Sequence, residues 1–261
     1  MPLALSITRA YPAEGVAQCW RGVNIVDADE FDVYLRGPVW DRVNDAEFEA
    51  DLAQDLQALV TTDMATQTLE LLLNTVVTPQ DWEIGEAMAE CLLSDEVDAV
   101  WPWNENRDRK TPKASLPGAD IVGFIGEGDD TVFLFGEVKT SSHAATPPGV
   151  INGRSGLAHQ IDTLATTPSH HFTLMKWLYA RCTTADLRAR FCTAAQRYLT
   201  SEGTDISIIG VLLRDTVAHQ DDLRTRGQTF DAGPVQPRIR LDAWYTPRPI
   251  ADWINIASTE A

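Results

Sequence analysis

Two apolar segments joined by a short Gly- and Asp-rich turn constrain this chain most. Residues 120–125 (DIVGFI) and 131–139 (TVFLFGEVK) read as the strands of a hairpin. Strand side chains alternate, so Val122 and Phe124 share a face with Asp120, and Phe133 and Phe135 share one with Glu137. Ile121, Ile125, Val132 and Leu134 fill the opposite face. Strands apolar on both faces lie between two layers, which points to a mixed α/β fold. With Gly128-Asp129 as a two-residue turn, Asp120 falls opposite Glu137, their Cβ atoms roughly 4.5–5.5 Å apart. Lys139 joins that face. Like charges facing each other across a buried hairpin are destabilising, and burying three ionisable groups is costly unless they are partnered. This end of the hairpin is therefore the candidate site. Lys139 supplies part of the neutralisation, and a divalent cation would complete it.

Elsewhere the periodicity predicts mostly helix. Residues 1–45 read as irregular or β-rich, with a strand expected at 31–36. A helix is expected over 46–73, where Phe48, Leu52, Leu56, Leu59 and Val60 form an apolar stripe. Thr78 as N-cap and Pro79 at the first position predict a second helix to about residue 93. On it Trp82, Glu86, Ala89 and Leu93 share one side, which puts Glu86 beside the apolar stripe and Glu90 nearer the wet face. A short strand is expected at 97–101, helices at 156–166, 170–182 and 184–200, and strands at 206–214 and 238–245. No linker separates two halves, but composition divides the chain into an acidic region, 1–78, and a core, 79–261.

Charge narrows the function classes. The net charge is −17, and residues 1–95 hold 18 acids against four Arg and no Lys. Such a surface repels nucleic acid as a whole and leaves only a local basic groove to bind it. Arg107, Arg109, Lys110 and Lys113, just before the hairpin, and Arg154 after it are the cations placed to follow a phosphate backbone. Cys19, Cys91, Cys182 and Cys192 form no CxxC and have no zinc-finger spacing to His, so they read as reduced thiols of a cytoplasmic protein. No apolar run approaches the roughly 20 residues of a membrane span, and no signal peptide is expected. The usual nucleotide-binding and hydrolase glycine motifs do not occur, so any ATP-driven step needs another protein. His143, His159 and the adjacent His170-His171 lack metal-ligand spacing.

The segment Pro117-Gly118-Ala119-Asp120 followed by Gly136-Glu137-Val138-Lys139 resembles the PD-(D/E)xK nuclease superfamily. Gly85-Glu86 is similar to the helical Glu that often precedes the motif there, and Gln160 to the Gln that some members carry on the following helix. The QxxxY spacing of the RecB-like branch is not met, since position 164 is Leu. A closer resemblance, over about residues 80–165, is to the HamA family, nuclease subunits of Hachiman anti-phage systems. It rests on Gly85-Glu86, the stretch from Asn104 to Arg109, the Asp120 and Glu137 motifs with Thr140-Ser141, and Gln160.

The resemblance implies a restriction-endonuclease-like core, a mixed central sheet flanked by helices, here with an N-terminal α/β extension. It implies a Mg²⁺-dependent deoxyribonuclease, with Mn²⁺ as the alternative ion. Glu86, Asp120, Glu137, Lys139 and Gln160 would be catalytic, and Asp120, Glu137 and Glu86 would serve the metal. It also implies a helicase partner (HamB-like) and a role in defence, and the acidic region 1–78 with its apolar helix stripe is the expected docking part. Mg²⁺ suits such a site because it takes oxygen ligands and keeps several waters. Lys139 would orient or deprotonate the attacking water, or stabilise the charged phosphate. With no base-reading motif, little sequence specificity is expected. The competing expectation is a non-catalytic subunit, binding nucleic acid or a partner, that retains a nuclease-like scaffold.

Overall fold

A computed structural model of the chain describes residues 5–11, 20–73, 78–109, 118–231 and 238–259. Two strands open it, β1 (Ile7–Tyr11) and β2 (Trp20–Ile25). Helices α1 (Ala28–Tyr34), α2 (Trp40–Asn44), α3 (Ala46–Leu59), α4 (Asp63–Leu73), α5 (Asp81–Val97) and α6 (Glu105–Asp108) follow. The hairpin is β3 (Ile121–Ile125) and β4 (Val132–Ser141). Then come α7 (Leu157–Thr166), α8 (Pro168–Arg181), α9 (Ala185–Thr200), β5 (Ser207–Arg214), α10 (Arg224–Asp231), β6 (Arg238–Tyr245) and α11 (Trp253–Ala257).

The strands form one sheet in the order β1-β2-β6-β5-β4-β3. The inner pairs β2–β6, β6–β5 and β5–β4 are parallel, and β1 and β3 are antiparallel edges. This is an α/β fold with a mixed six-stranded sheet between helical layers. Every residue of β5 is buried, as its unbroken apolar run demands of a central parallel strand. On one face Ile121, Leu134, Val138 and Ile209 pack with Ile84, Met88 and Leu92 of α5. On the other, Val122, Phe124, Phe133, Phe135 and Ile208 pack with Leu157, Ile161 and Leu164 of α7 and Leu174 and Leu178 of α8. The face assignment read from alternation in the hairpin is the observed one.

Several elements differ from the sequence reading. Residues 31–36 are helical, not a strand. Asp27 caps α1 by accepting from the N–H groups of Asp29 and Glu30, each at 2.9 Å. Phe31, Tyr34 and Leu35 are then buried at helical spacing, while Val33 is exposed. The helix expected over 46–73 is two helices, broken where Val60 turns extended (φ −74°, ψ 120°) and Thr62 Oγ1 accepts from Ala65 N–H. The strand expected at 97–101 is reduced to a single bridge, Val100 to Phe124. Helix α5 starts later than Thr78-Pro79: Gln80 is its N-cap, and Glu83 Oε2 accepts from the Gln80 N–H at 2.6 Å.

The division at residue 78 is not a domain boundary in this fold. Strand β2 is hydrogen-bonded along β6, from Trp20 against Leu241 to Asn24 against Tyr245. Phe31 packs edge-on against Trp253, 6.2 Å between ring centres. The first strands and α1 are therefore part of the sheet and its core. Among the described residues, no helix is long and apolar enough to cross a membrane.

Candidate active site

The hairpin holds the expected register without the expected turn. Ile121 pairs with Gly136 and Ile125 with Val132, so continuing one step outward sets Asp120 opposite Glu137. The connection is a longer loop built on a 3₁₀ turn at Gly128–Asp130, not a two-residue turn at Gly128-Asp129. Thr131 closes that loop, its hydroxyl donating to Gly128 O at 2.9 Å. Gly128 takes φ +51°, a conformation few side chains tolerate.

Asp120 sits just before β3, and its Oδ2 accepts the Val138 N–H at 2.9 Å. The carboxyls of Asp120 and Glu137 lie close enough for the charge of Asp120 to act on Glu137. Lys139 Nζ lies 2.5 Å from Glu137 Oε1 and 3.7 Å from Asp120 Oδ2. Three of the expected residues thus form one cluster.

Glu86 comes to it from α5, across the cleft described below. Helix α5 approaches β4 closely because residue 85 is glycine. A Cβ there would stand 2.5 Å from Thr140 Cγ2. Glu90 is not on the wet face as expected: it is 5% exposed and paired with Arg42 at 2.6 Å. Glu83 is likewise buried and paired with Arg109. Of the acids along α5 that face inward, only Glu86 is turned to the cleft that Asp120 also lines.

Electrostatics follow from this crowding. Burial, then the charge of Asp120, pushes Glu86 up to about 10. Burial and Asp120 likewise push Glu137 up to about 7. Burial raises Asp120 too, opposed by Lys139 and the Val138 N–H. Burial works against the charge on Lys139, but Asp120 and Glu137 outweigh it and hold Lys139 above its ordinary value.

The other candidates are placed differently. Arg109 is removed from the phosphate-tracking set, because its side chain is buried against Glu83. Arg107 lies 3.4 Å from Asp45 and stacks over Phe48, so it too is engaged within the fold. Lys110 and Lys113 lie outside the described residues. Arg154 is exposed in the loop before α7. Gln160 is half-buried on α7, whose Leu157 and Ile161 pack over Gly210, the β5 residue paired with Glu137. Of the adjacent histidines, His171 turns inward, 2.9 Å from Tyr198 Oη and stacked on Phe135, while His170 lines the cleft.

A cleft of about 430 Å³ opens beside Asp120, between α5 and α8 at the β3 edge. Trp82, Trp103 and Trp177 line it together with Glu86, Glu105 and Asp120. The tryptophans were missed in the sequence because they lie 21 and 74 positions apart, on α5, on the segment before α6 and on α8. No spacing rule links such positions.

The donor set suits a hard divalent cation. It offers carboxylate oxygens, crowded enough that two of the carboxyls hold their protons well above the ordinary range. Among the described residues, however, no group of three or more His, Cys, Asp or Glu is arranged to hold a metal ion. Of the three expected ligands, Asp120 and Glu137 adjoin each other, and Glu86 lines the cleft with Asp120. A pair fits Mg²⁺, which commonly binds through one or two carboxylates and keeps its waters.

Compared with protein-family models and with curated proteins, the chain matches none.

Proposed function

We propose that this chain is a metal-dependent nuclease with a restriction-endonuclease-like core, hydrolysing DNA phosphodiester bonds with little sequence specificity. The observation that carries the reading is the cluster of Asp120, Glu137 and Lys139 on an otherwise apolar hairpin, with Glu86 of α5 lining the same cleft as Asp120. Asp120 and Glu137 would hold Mg²⁺ or Mn²⁺, and Glu86 one of its waters or a second ion. Bound there, the cation would stabilise charge on the phosphate oxygens and lower the pKa of a water. Lys139 keeps a proton on Nζ and presents positive charge beside both carboxylates, where it steadies the charge that builds on a phosphate. The Val138 N–H fixes the orientation of Asp120.

The resemblance to the HamA family extends the proposal to an effector subunit of an anti-phage complex with a helicase (HamB-like). Helices α3 and α4 support a docking face. Leu59, Met64 and Leu72 are 73%, 77% and 63% exposed there. The same two helices carry six acids and no Lys or Arg. An apolar surface rimmed by acids suits a partner with a basic rim, which charge would steer and apolar contact would hold.

The test is purified chain with linear and circular DNA, in Mg²⁺ or EDTA, with and without a HamB-like helicase. Mg²⁺-dependent cleavage, raised by the helicase, is the expected result. The seating of Lys139 on Glu137, which neutralises one carboxylate with no ion, favours a second reading, a non-catalytic subunit on a nuclease-like scaffold. Complex formation without cleavage in any arm supports that reading instead.

A further inference from the structure

The cleft beside Asp120 is aromatic where a phosphate track would be basic. Trp82, in the first turn of α5, is 36% exposed. Trp103 is fixed: its Nε1 donates to Val122 O at 2.6 Å, and its ring meets Trp177 edge-on, 5.0 Å between ring centres. Trp177 is covered by the Arg181 guanidinium, 3.7 Å from its ring centre, and Arg181 is held by Asp108 at 2.8 Å. Trp103 and Trp177 are thus held in place before any ligand arrives, and preorganised aromatic surface binds at low entropic cost. Among the described lining residues none is Lys or Arg and three are acids, so these walls repel a phosphate.

We propose that this cleft receives one unpaired nucleobase of the nucleic-acid strand whose phosphate lies at Asp120 and Glu137, which makes single-stranded or frayed DNA the substrate class. The proposal rests on the nuclease reading for the position of the phosphate. Every base has a π-face that an indole can stack on, and stacking of this kind is indifferent to sequence. The carboxyl groups of Glu86 and Glu105 are suited to accept from the exocyclic amino groups of cytosine, adenine or guanine. A base within a duplex cannot enter, because it must first leave the stack. The cleft volume lies within the ordinary range for small-molecule sites.

The experiment measures binding to the full chain in EDTA by tryptophan fluorescence. The probes are a single-stranded 12-mer of dC, an abasic-spacer strand of equal length and a blunt duplex. The dC strand should quench the fluorescence and bind about tenfold more tightly than the abasic strand. Trp82→Ala should remove about that factor and Trp82→Phe should restore most of it. Equal binding of the dC and abasic strands, or unchanged affinity in a folded Trp82→Ala protein, overturns the base slot. Reversal of the quench by millimolar choline, with no preference for bases, identifies a cation cage and overturns it too. Cleavage by the Glu137→Gln variant is assayed alongside. If that variant loses cleavage and the abasic strand binds equally, the base slot fails and the nuclease reading stands. If the dC strand binds through Trp82 and Glu137→Gln still cleaves, the assignment of the Asp120–Glu137 cluster as the active site fails and the cleft remains a single-strand binding site.

Discussion

The N–H of Val138 donates to Oδ2 of Asp120 across the hairpin, so the peptide between Glu137 and Lys139 holds the third charged residue of the cluster in place. The backbone thus sets the spacing of the three groups, and side-chain changes at Glu137 or Lys139 should leave Asp120 where it is.

Crowded carboxyls predict a pH-dependent cost in the metal-free protein. Glu137 is raised from 4.5 to about 7, and Glu86 from 4.5 to about 10. The folded state then keeps protons that the unfolded state has lost, so stability falls as pH rises from about 4.5 through 7, and for Glu86 further. In EDTA the Tm of the wild type should drop over that range. Glu86→Gln should flatten the drop and raise the Tm at pH 7 by about 2–4 °C, equivalent to ~1 kcal/mol for a chain of this size. A Tm that climbs over the same range, or that Glu86→Gln lowers, contradicts the electrostatic account.

Gly85 against Thr140 predicts a compensating pair. A methyl at residue 85 meets Thr140 Cγ2 at 2.5 Å and pushes α5, with Glu86, away from β4. Gly85→Ala should cost about 1–3 kcal/mol by overpacking and reduce cleavage. Adding Thr140→Ala should recover most of both. Urea melts and a cleavage assay on the two single variants and the double variant measure the coupling. Purely additive losses would mean the contact does not set the position of α5.

A buried ion pair at the far end of β5 predicts the largest stability loss. Arg214 and Asp222 are 1% and 0% exposed and pair at 2.5 Å. Arg214 also donates to the carbonyls of His143 and Ala145, tying down the chain just after β4. Asp222→Ala leaves a buried guanidinium without its counter-charge and should cost about 3–5 kcal/mol, roughly 10 °C in Tm. Arg214→Met with Asp222→Leu should recover part of that loss, short of the tether to 143–145. A loss under ~1 kcal/mol in thermal unfolding of Asp222→Ala would contradict it.

How far the sequence went depended on the range of the forces involved. The hairpin register, its two faces and the meeting of Asp120, Glu137 and Lys139 were legible, because alternation and pairing act locally. The helix at Ala28–Tyr34 was misread because Phe31, Val33 and Leu35 alternate like a strand, while the deciding signal was a single capping residue, Asp27. Glu90 and Arg109 were read as surface charges because Arg42 and Glu83, which neutralise them, are 48 and 26 positions away. The tryptophan cleft was invisible for the same reason. The parallel pairing of β2 with β6 joins the two ends of the chain, which no composition boundary could reveal.

The most direct test is Mg²⁺-dependent DNA cleavage by wild type, Glu137→Gln and Lys139→Ala, each verified as folded by its thermal melt. Glu137→Gln keeps the shape of the side chain and Lys139 is only half-buried within β4, so the account predicts cleavage reduced at least 100-fold in each with a Tm near that of wild type, since removing a group of this type typically costs 10²–10³ in rate. Full Mg²⁺-dependent cleavage by a folded Glu137→Gln protein would contradict the assignment of this cluster as the active site.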